Sequence, residues 1–82
     1  MLLDIINAKY VDEFKIKVSF ENGEEGIVDF QEYTEDGGIF DSLKNIDYFK
    51  KFYINKDIGT ICWPEGQDIA PETIYSKIKG ES

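Results

Sequence analysis

The sequence contains no histidine and no arginine, and it has a single cysteine, Cys62. Without histidine, Ser-His-Asp and Cys-His catalysis and the usual histidine-bearing zinc sites are excluded. One cysteine forms no internal disulfide and builds no structural zinc site, which suits a reducing cytoplasm. Without arginine, the chain lacks the planar fork that binds phosphate and guanine. The chain also lacks a glycine-rich phosphate loop, because Gly37-Gly38 is not followed by Lys-Ser or Lys-Thr.

Positive charge is also scarce, since nine lysines stand against 17 acidic residues and give a net charge of −8. The electrostatic attraction that drives nucleic-acid binding would here be a repulsion, so we expect no direct DNA or RNA binding by this chain alone. An acidic surface suits a basic protein partner, although simple solubility is its commoner explanation.

No long apolar run is present, and the N-terminal residues lack the basic segment of a signal peptide. We therefore expect a cytoplasmic protein without membrane attachment. The length of 82 residues fits one domain, covering residues 1–82. Aromatic residues make up 15% of the chain, and their large rings compensate for its short length in building a core.

Two segments near the N-terminus have the pattern of strands. The first runs from Leu2 to Tyr10. The apolar residues that we place on one face of it are Ile6, Ala8 and Tyr10. The second, Phe14 to Phe20, alternates apolar with polar residues, which is typical of a half-buried strand. Val11 to Glu13 predicts the turn between them.

Glu21 to Gly23 predicts a hairpin loop. A two-residue turn would place Ile16 opposite Asp29. A three-residue loop, with its glycine in the left-handed region, places Ile16 opposite Val28. Because a shift of one residue turns every side chain to the other face, the hydrophobic pattern favours the three-residue loop. The third strand then covers about Glu25 to Phe30.

The middle of the chain predicts helical structure. Gln31 to Gly38 is polar and reads as a loop with room for one helical turn. Phe40 to Phe52 has helical spacing of its aromatic and aliphatic residues. Within it, Asn45 is placed to cap a second short helix whose first turn holds Asp47.

The last third predicts a second hairpin and a helix. Its strands are Tyr53-Ile54 and Thr60 to Trp63, joined by a turn over Asn55 to Gly59, and Pro64 ends the second strand. A helix follows from Pro71 to Lys79, since proline favours the first helical position. The expected fold is α+β, with a small antiparallel sheet of about five strands in two hairpins, a short helical insert and a C-terminal helix.

The stretch from Gly59 to Tyr75 reads Gly-Thr-Ile-Cys-Trp-Pro-Glu-Gly-Gln-Asp-Ile-Ala-Pro-Glu-Thr-Ile-Tyr. It resembles the signature of a bacterial family called domain of unknown function 2442. Members of that family typically read Gly-Thr-Ile-x-Trp-Pro-x-Gly-x-Asp, then an apolar residue, a small residue and Pro-Glu. The matching positions are Trp63, Pro64, Gly66, Asp68, Pro71 and Glu72. The first hairpin and the aromatic helical insert are similar to the family too, so the resemblance covers nearly the whole chain.

The resemblance implies a small α+β fold and leaves the function open. Some members of the family add a helix-turn-helix segment, which hints at DNA-linked regulation, whereas we expect none here because the sequence stops at Ser82. Family genes often lie beside the gene of another small protein, in an arrangement like that of toxin–antitoxin pairs.

Three carboxylates, Glu65, Asp68 and Glu72, cluster around the Trp-Pro stretch. Close carboxylates can perform acid–base chemistry or hold a divalent cation, although their order fits no standard calcium loop. In the structural interpretation, which we favour, Asp68 accepts backbone N–H groups and Glu72 complements a helix dipole. We therefore expect no cofactor, no metal and no catalytic residue.

Trp63 and Cys62 each allow two interpretations. Trp63 either anchors the core or is a partly exposed contact for a partner, and the core is the favoured alternative. Cys62 is more typical of a small buried residue than of a nucleophile. The acidic run of strand three and beyond, usually just a solvated face, could also dock a basic protein. Its members are Asp29, Glu32, Glu35 and Asp36.

The preferred functional hypothesis is a non-catalytic protein-interaction module, as the acidic partner in a two-protein regulatory pair. Its predicted contact residues are Trp63, Pro64, Glu65, Gly66, Asp68 and Glu72. The alternative is a small metal-dependent or carboxylate-based enzyme that uses Glu65, Asp68 and Glu72.

Overall fold

The computed structural model describes residues 3–35 and 37–80, so that Leu2 and Asp36 lie outside the described residues. Its strands are β1 (Ile5–Asp12), β2 (Lys15–Phe20), β3 (Glu25–Asp29), β4 (Tyr53–Asn55) and β5 (Thr60–Cys62). Its helices are α1 (Gln31–Thr34), a 3₁₀ helix (Gly38–Lys44), α2 (Ile46–Phe49) and α3 (Pro71–Ile78). The α+β fold expected from the sequence is confirmed, with the strands divided between two small sheets.

The first sheet is antiparallel, with the order β1-β2-β3. Ile16 pairs with Val28, as the hydrophobic pattern predicted. The three-residue loop is confirmed, because the N–H of Phe20 donates to the carbonyl of Glu24 at 2.8 Å and Gly23 has a φ of 91°. One face of the sheet is thereby buried, while lysine and acidic side chains and the exposed Ile27 occupy the other.

The predicted bounds of the first strand were wrong at its described end. β1 continues to Asp12, two residues beyond the prediction, and the turn falls on Glu13 and Phe14. Glu13 adopts a φ of 46°, and its carbonyl accepts the hydroxyl of Tyr10 at 3.0 Å, which closes this tight turn. The placement of Ile6 beside Ala8 and Tyr10 was also wrong. The pairing shifts between Ile5 and Asn7, and Ile6 is 62% exposed.

The helices of the insert are shorter than the spacing of apolar residues predicted. A 3₁₀ helix precedes Asn45, and a single α-helical turn follows it. The predicted cap is confirmed, since Asn45 Oδ1 accepts the N–H groups of Asp47 at 2.9 Å and Tyr48 at 3.4 Å. The cap fixes the direction of α2, and with it the positions of the aromatic side chains on that turn.

The second sheet pairs β4 with β5 in the predicted hairpin. The chain also returns along the far side of β5, which the sequence did not suggest. Cys62 pairs with Asp68, and the N–H of Trp63 donates to the carbonyl of Gln67 at 3.0 Å. The hydroxyl of Thr60 donates to the carbonyl of Ile69 at 2.5 Å and continues this attachment.

The core joins the sheets through aromatic rings. Three rings contact one another with centroids between 5.7 and 6.3 Å apart, those of Phe30 after β3, Phe49 of α2 and Trp63 after β5. Helix α3 begins with proline in its first turn, as predicted, and covers another side of the core through the buried Ile74. It approaches β3 so closely that a methyl group on Gly26 would lie 2.9 Å from Ile78 Cβ.

Candidate functional site

The Trp-Pro loop, Pro64 to Gly66, is a three-residue hairpin loop at the end of β5. The N–H of Gly66 donates to the carbonyl of Trp63 at 2.9 Å, while the N–H of Trp63 donates to Gln67 across the base of the loop at 3.0 Å. Gly66 has a φ of 100°, which a residue with a side chain adopts only at a cost. The three loop residues are exposed, and the residues on either side are fully buried.

Trp63 belongs to the core. Its exposure is 0%, and its indole N–H donates to the carbonyl of Phe49 at 2.8 Å. Buried tryptophan normally satisfies its N–H in this way. The indole therefore supports the Trp-Pro loop from below and offers no surface to a partner. This burial agrees with the favoured core interpretation, whereas the inclusion of Trp63 among the predicted contact residues was wrong.

Tyr48 fastens the loop to the helical insert. Its hydroxyl donates to Gln67 Oε1 at 2.8 Å and accepts the N–H of Glu65 at 2.9 Å. Gln67 is 0% exposed, so its amide oxygen depends on a protein partner. Because α2 carries Tyr48 on a capped turn, one side chain holds the tip and the base of the loop at once.

Ser42 adds a second attachment from the 3₁₀ helix. Its hydroxyl donates to Glu65 Oε1 at 3.0 Å. Three residues of the insert thus form hydrogen bonds with the loop or the residues beside it. They are Ser42, Tyr48 and Phe49, whose carbonyl accepts the indole N–H of Trp63. The result is an exposed loop whose backbone and base are both held by hydrogen bonds.

The three predicted carboxylates occupy different elements. Glu65 lies on the loop tip, Asp68 on the segment that pairs with β5, and Glu72 in the first turn of α3, and all three are exposed. The position of Glu72 suits the helix dipole, as expected. Within residues 3–35 and 37–80, no group of three or more His, Cys, Asp or Glu side chains is arranged to hold a metal ion.

Cys62 lies beneath the segment that carries Asp68. Its side chain is buried, and burial raises the pKa of its thiol, with the nearby charge of Asp68 as a second cause. Both effects disfavour the thiolate, which is the nucleophilic form. The position agrees with a small core residue.

Part of the predicted acidic run has structural partners. Asp29 Oδ1 accepts the N–H of Gln31 at 2.9 Å at the start of α1. Glu32 forms an ion pair with Lys77 of α3. Glu35 is exposed, and Asp36 lies outside the described residues. The run is thus partly engaged in holding α1 to α3.

Sequence reasoning missed two features of this surface. The hydrogen bond between Tyr48 and Gln67 was not predicted, because a contact between residues 19 positions apart leaves no local pattern in the sequence. A groove at the opposite end of the β4–β5 hairpin was missed as well. It measures about 340 Å³ and is lined by Asp4, Ile5, Ile6, Glu21, Ile54, Lys56 and Gly59.

The protein is a small α+β domain with two antiparallel sheets and an aromatic core. Its Trp-Pro loop is exposed and is held by side-chain hydrogen bonds from the helical insert. The chain belongs to the family described as protein of unknown function (DUF2442), whose model matches residues 5–80. Comparison with curated proteins gives no match, and comparison with solved structures gives none either. Among the described residues, no helix has both the length and the apolar character that crossing a bilayer requires.

Proposed function

We propose that the protein is a non-catalytic interaction module that binds a basic protein through the Trp-Pro loop and the acidic residues beside it. The observation that carries this proposal is the bracing of an exposed loop by the helical insert. A loop held in one conformation loses little conformational entropy on binding, which favours recognition. Tyr48 and Ser42 of the insert supply side-chain hydrogen bonds to this loop.

Charge supports a basic partner. Ion pairs within the described part of the chain join five of the nine lysines to acidic side chains, which are Lys15, Lys17, Lys44, Lys77 and Lys79. The acidic excess of the chain therefore lies on side chains that include Glu65, Asp68 and Glu72 around the loop. Complementary charge of this kind raises association rates and selects against acidic partners. The acidic member of a two-protein pair is the form of module that we propose.

The proposal of a non-catalytic role rests on the chemistry of the same region. The chain has no histidine, and its thiol is buried with a raised pKa. The hydroxyl of Tyr48 already has two hydrogen-bond partners, Glu65 in the loop and Gln67 at its base. The carboxylates of Glu65, Asp68 and Glu72 lie on three different elements, which does not favour a shared acid–base centre.

The test is capture of the partner by tagged protein from the source cell, with two variants of equal charge. Asp68→Asn/Glu72→Gln removes two charges beside the loop. Asp12→Asn/Glu13→Gln removes two at the turn between β1 and β2. We expect wild type and the turn variant to retain one stoichiometric basic protein. The loop variant should retain about tenfold less, as expected when two rim charges are lost.

Equal retention by both variants would contradict the assignment of the loop. A wild-type protein that retains no basic partner at low salt would overturn the function itself. Binding that does not weaken at higher salt would contradict the electrostatic part of the proposal, because exposed charge pairs are screened.

A further inference from the structure

The groove beside the β4–β5 turn is formed by segments that are distant in sequence. Its walls come from the start of β1, from the first hairpin loop and from the β4–β5 turn. Two backbone hydrogen bonds hold these segments together. The N–H of Ile5 donates to the carbonyl of Gly59 at 2.9 Å, and the N–H of Glu21 donates to the carbonyl of Asp4 at 2.9 Å. The groove is therefore preformed.

Apolar side chains line part of it. Ile6 is 62% exposed because the irregularity in β1 turns it out of the core. Ile54 of β4 is half-buried and lines the same groove. Concave sites that bind ligands are commonly lined by apolar side chains together with a few polar groups.

The rim carries two carboxylates and one ammonium group, from Asp4, Glu21 and Lys56. Within residues 3–35 and 37–80, none of these three side chains forms an ion pair. The rim is thus negative by one charge, in a chain whose net charge is −8. The Asp4 carboxylate lies directly against the α-carbon of Gly59, where a side chain would displace it.

We infer that this groove receives a lysine or arginine side chain of the basic partner, so that the inference rests on the proposed function and adds a second anchoring point to it. The volume of about 340 Å³ is at the small end for ligand sites, which suits one side chain better than a nucleotide. Long basic side chains bury their methylene stems on apolar surface and keep their charged ends beside polar groups. The isoleucines and the carboxylates of the groove match these two parts.

The experiment must distinguish two possible ligands of the groove, a basic side chain and a free amine. The probes are Nα-acetyl-arginine N-methylamide, its uncharged counterpart Nα-acetyl-norleucine N-methylamide, and putrescine, each titrated into labelled full chain and followed by amide NMR shifts. We expect the arginine probe to move the amides of Ile6, Ile54 and Gly59 and the norleucine probe to leave them in place. Equal shifts with both probes would overturn the inference. Putrescine binding far more tightly than the arginine probe would overturn it in favour of a small-molecule amine site.

Variants locate the effect. Asp4→Asn/Glu21→Gln should weaken binding of the arginine probe about fivefold or more, and Lys56→Gln should strengthen it severalfold by removing the competing charge. Asp68→Asn/Glu72→Gln, which removes the same number of charges beside the Trp-Pro loop, should leave it unchanged. An unchanged affinity in Asp4→Asn/Glu21→Gln, with the fold intact by circular dichroism, overturns the inference.

Capture of the partner separates this inference from the proposed function. If Asp4→Asn/Glu21→Gln retains the partner as wild type does while the loop variant loses it, the groove inference fails and the function stands. Loss of the partner by both variants supports both. If wild type retains no partner, the function fails, and the probe titration alone then decides whether the groove takes a basic side chain.

Discussion

The two three-residue hairpin loops of the molecule, Glu21–Gly23 and Pro64–Gly66, have one backbone design. In each, the residue before the loop donates its N–H to the carbonyl of the residue after it, at 2.8 Å in the first and 3.0 Å in the second. Each ends in a glycine of positive φ, 91° and 100°. Each follows a fully buried aromatic residue, Phe20 or Trp63.

Their surroundings differ. In the first loop, the side-chain hydrogen bond is local, since Asn22 Oδ1 accepts the N–H of Glu24 two residues on at 3.0 Å. In the Trp-Pro loop, the side-chain partners come from two other elements, since Ser42 lies on the 3₁₀ helix and Tyr48 on α2. Turn chemistry thus sets the path of both loops, whereas side-chain hydrogen bonds from the helical insert hold the Trp-Pro loop in addition.

Substitution of the aromatic residue beneath the Trp-Pro loop should lower stability the most. Trp63→Phe removes the indole N–H from the carbonyl of Phe49 and leaves a void between the rings. We expect a loss of about 2–3 kcal/mol in the free energy of unfolding, measured by urea denaturation. The matched change beneath the first loop, Phe20→Leu, removes volume without a hydrogen bond and should cost about 1–1.5 kcal/mol. Equal losses would show that the indole bond does not distinguish the two loops.

The next effect tests the brace itself. Tyr48→Phe leaves the buried Gln67 Oε1 and the N–H of Glu65 without this hydroxyl, which should lower the free energy of unfolding by about 1–3 kcal/mol. It should also speed amide hydrogen exchange at Glu65. Tyr53→Phe, which removes a hydroxyl from a side chain that is 48% exposed, is the control and should change stability by less than about 0.5 kcal/mol. A neutral Tyr48→Phe would mean that the Trp-Pro loop is no better held than the first.

Alanine at the two loop glycines should show the design that the loops share. A Cβ at either Gly23 or Gly66 meets no atom within 4 Å, so backbone strain alone sets the cost. Gly23→Ala and Gly66→Ala should each lower stability by about 1–2 kcal/mol in thermal unfolding. Only Gly66→Ala should also weaken partner capture, because it disturbs the proposed contact surface. Weaker capture by Gly23→Ala as well would place the first loop in that surface.

The smallest effect concerns Glu24, which follows the first loop as Gln67 follows the Trp-Pro loop. Gln67 is buried, whereas the hydrogen bond from Lys79, and after it one with Tyr75, lowers the pKa of Glu24 below its ordinary 4.5. A carboxyl group whose pKa is lower in the folded state stabilises the fold at pH values above its unfolded-state pKa. This contribution is lost as the pH falls through the folded-state pKa. The melting temperature of wild type should therefore exceed that of Glu24→Gln slightly at neutral pH, and the difference should vanish in acid. A difference between wild type and Glu24→Gln that does not change with pH would contradict this account.

Local rules explain which parts of the fold were predictable. The register of Ile16 with Val28 follows from alternation along one strand and from the loop that precedes β3. The cap at Asn45 and the start of α3 at Pro71 follow equally from single residues with strong positional preferences. The outward turn of Ile6 does not, because a bulge depends on both strands of the pair.

The candidate site was foreseen in its residues more than in its construction. The Trp-Pro stretch was singled out, and the favoured core position of Trp63 agrees with its burial. The support from Tyr48 and Ser42 and the groove at Asp4 arise only when distant segments meet. No pattern within a short window of sequence carries that information.

Trp63 is the sole tryptophan of the chain, and it lies without solvent contact directly under the loop that we assign to recognition. Its fluorescence therefore reports on one known place without any added dye. Emission should be at short wavelength in the folded protein and shift to longer wavelength when water reaches the indole. A partner that binds the exposed loop without changing its conformation should leave the emission wavelength unchanged. A partner that separates the loop from the insert should shift the emission to longer wavelength. The protein thus carries an internal optical gauge of whether binding is rigid or remodelling.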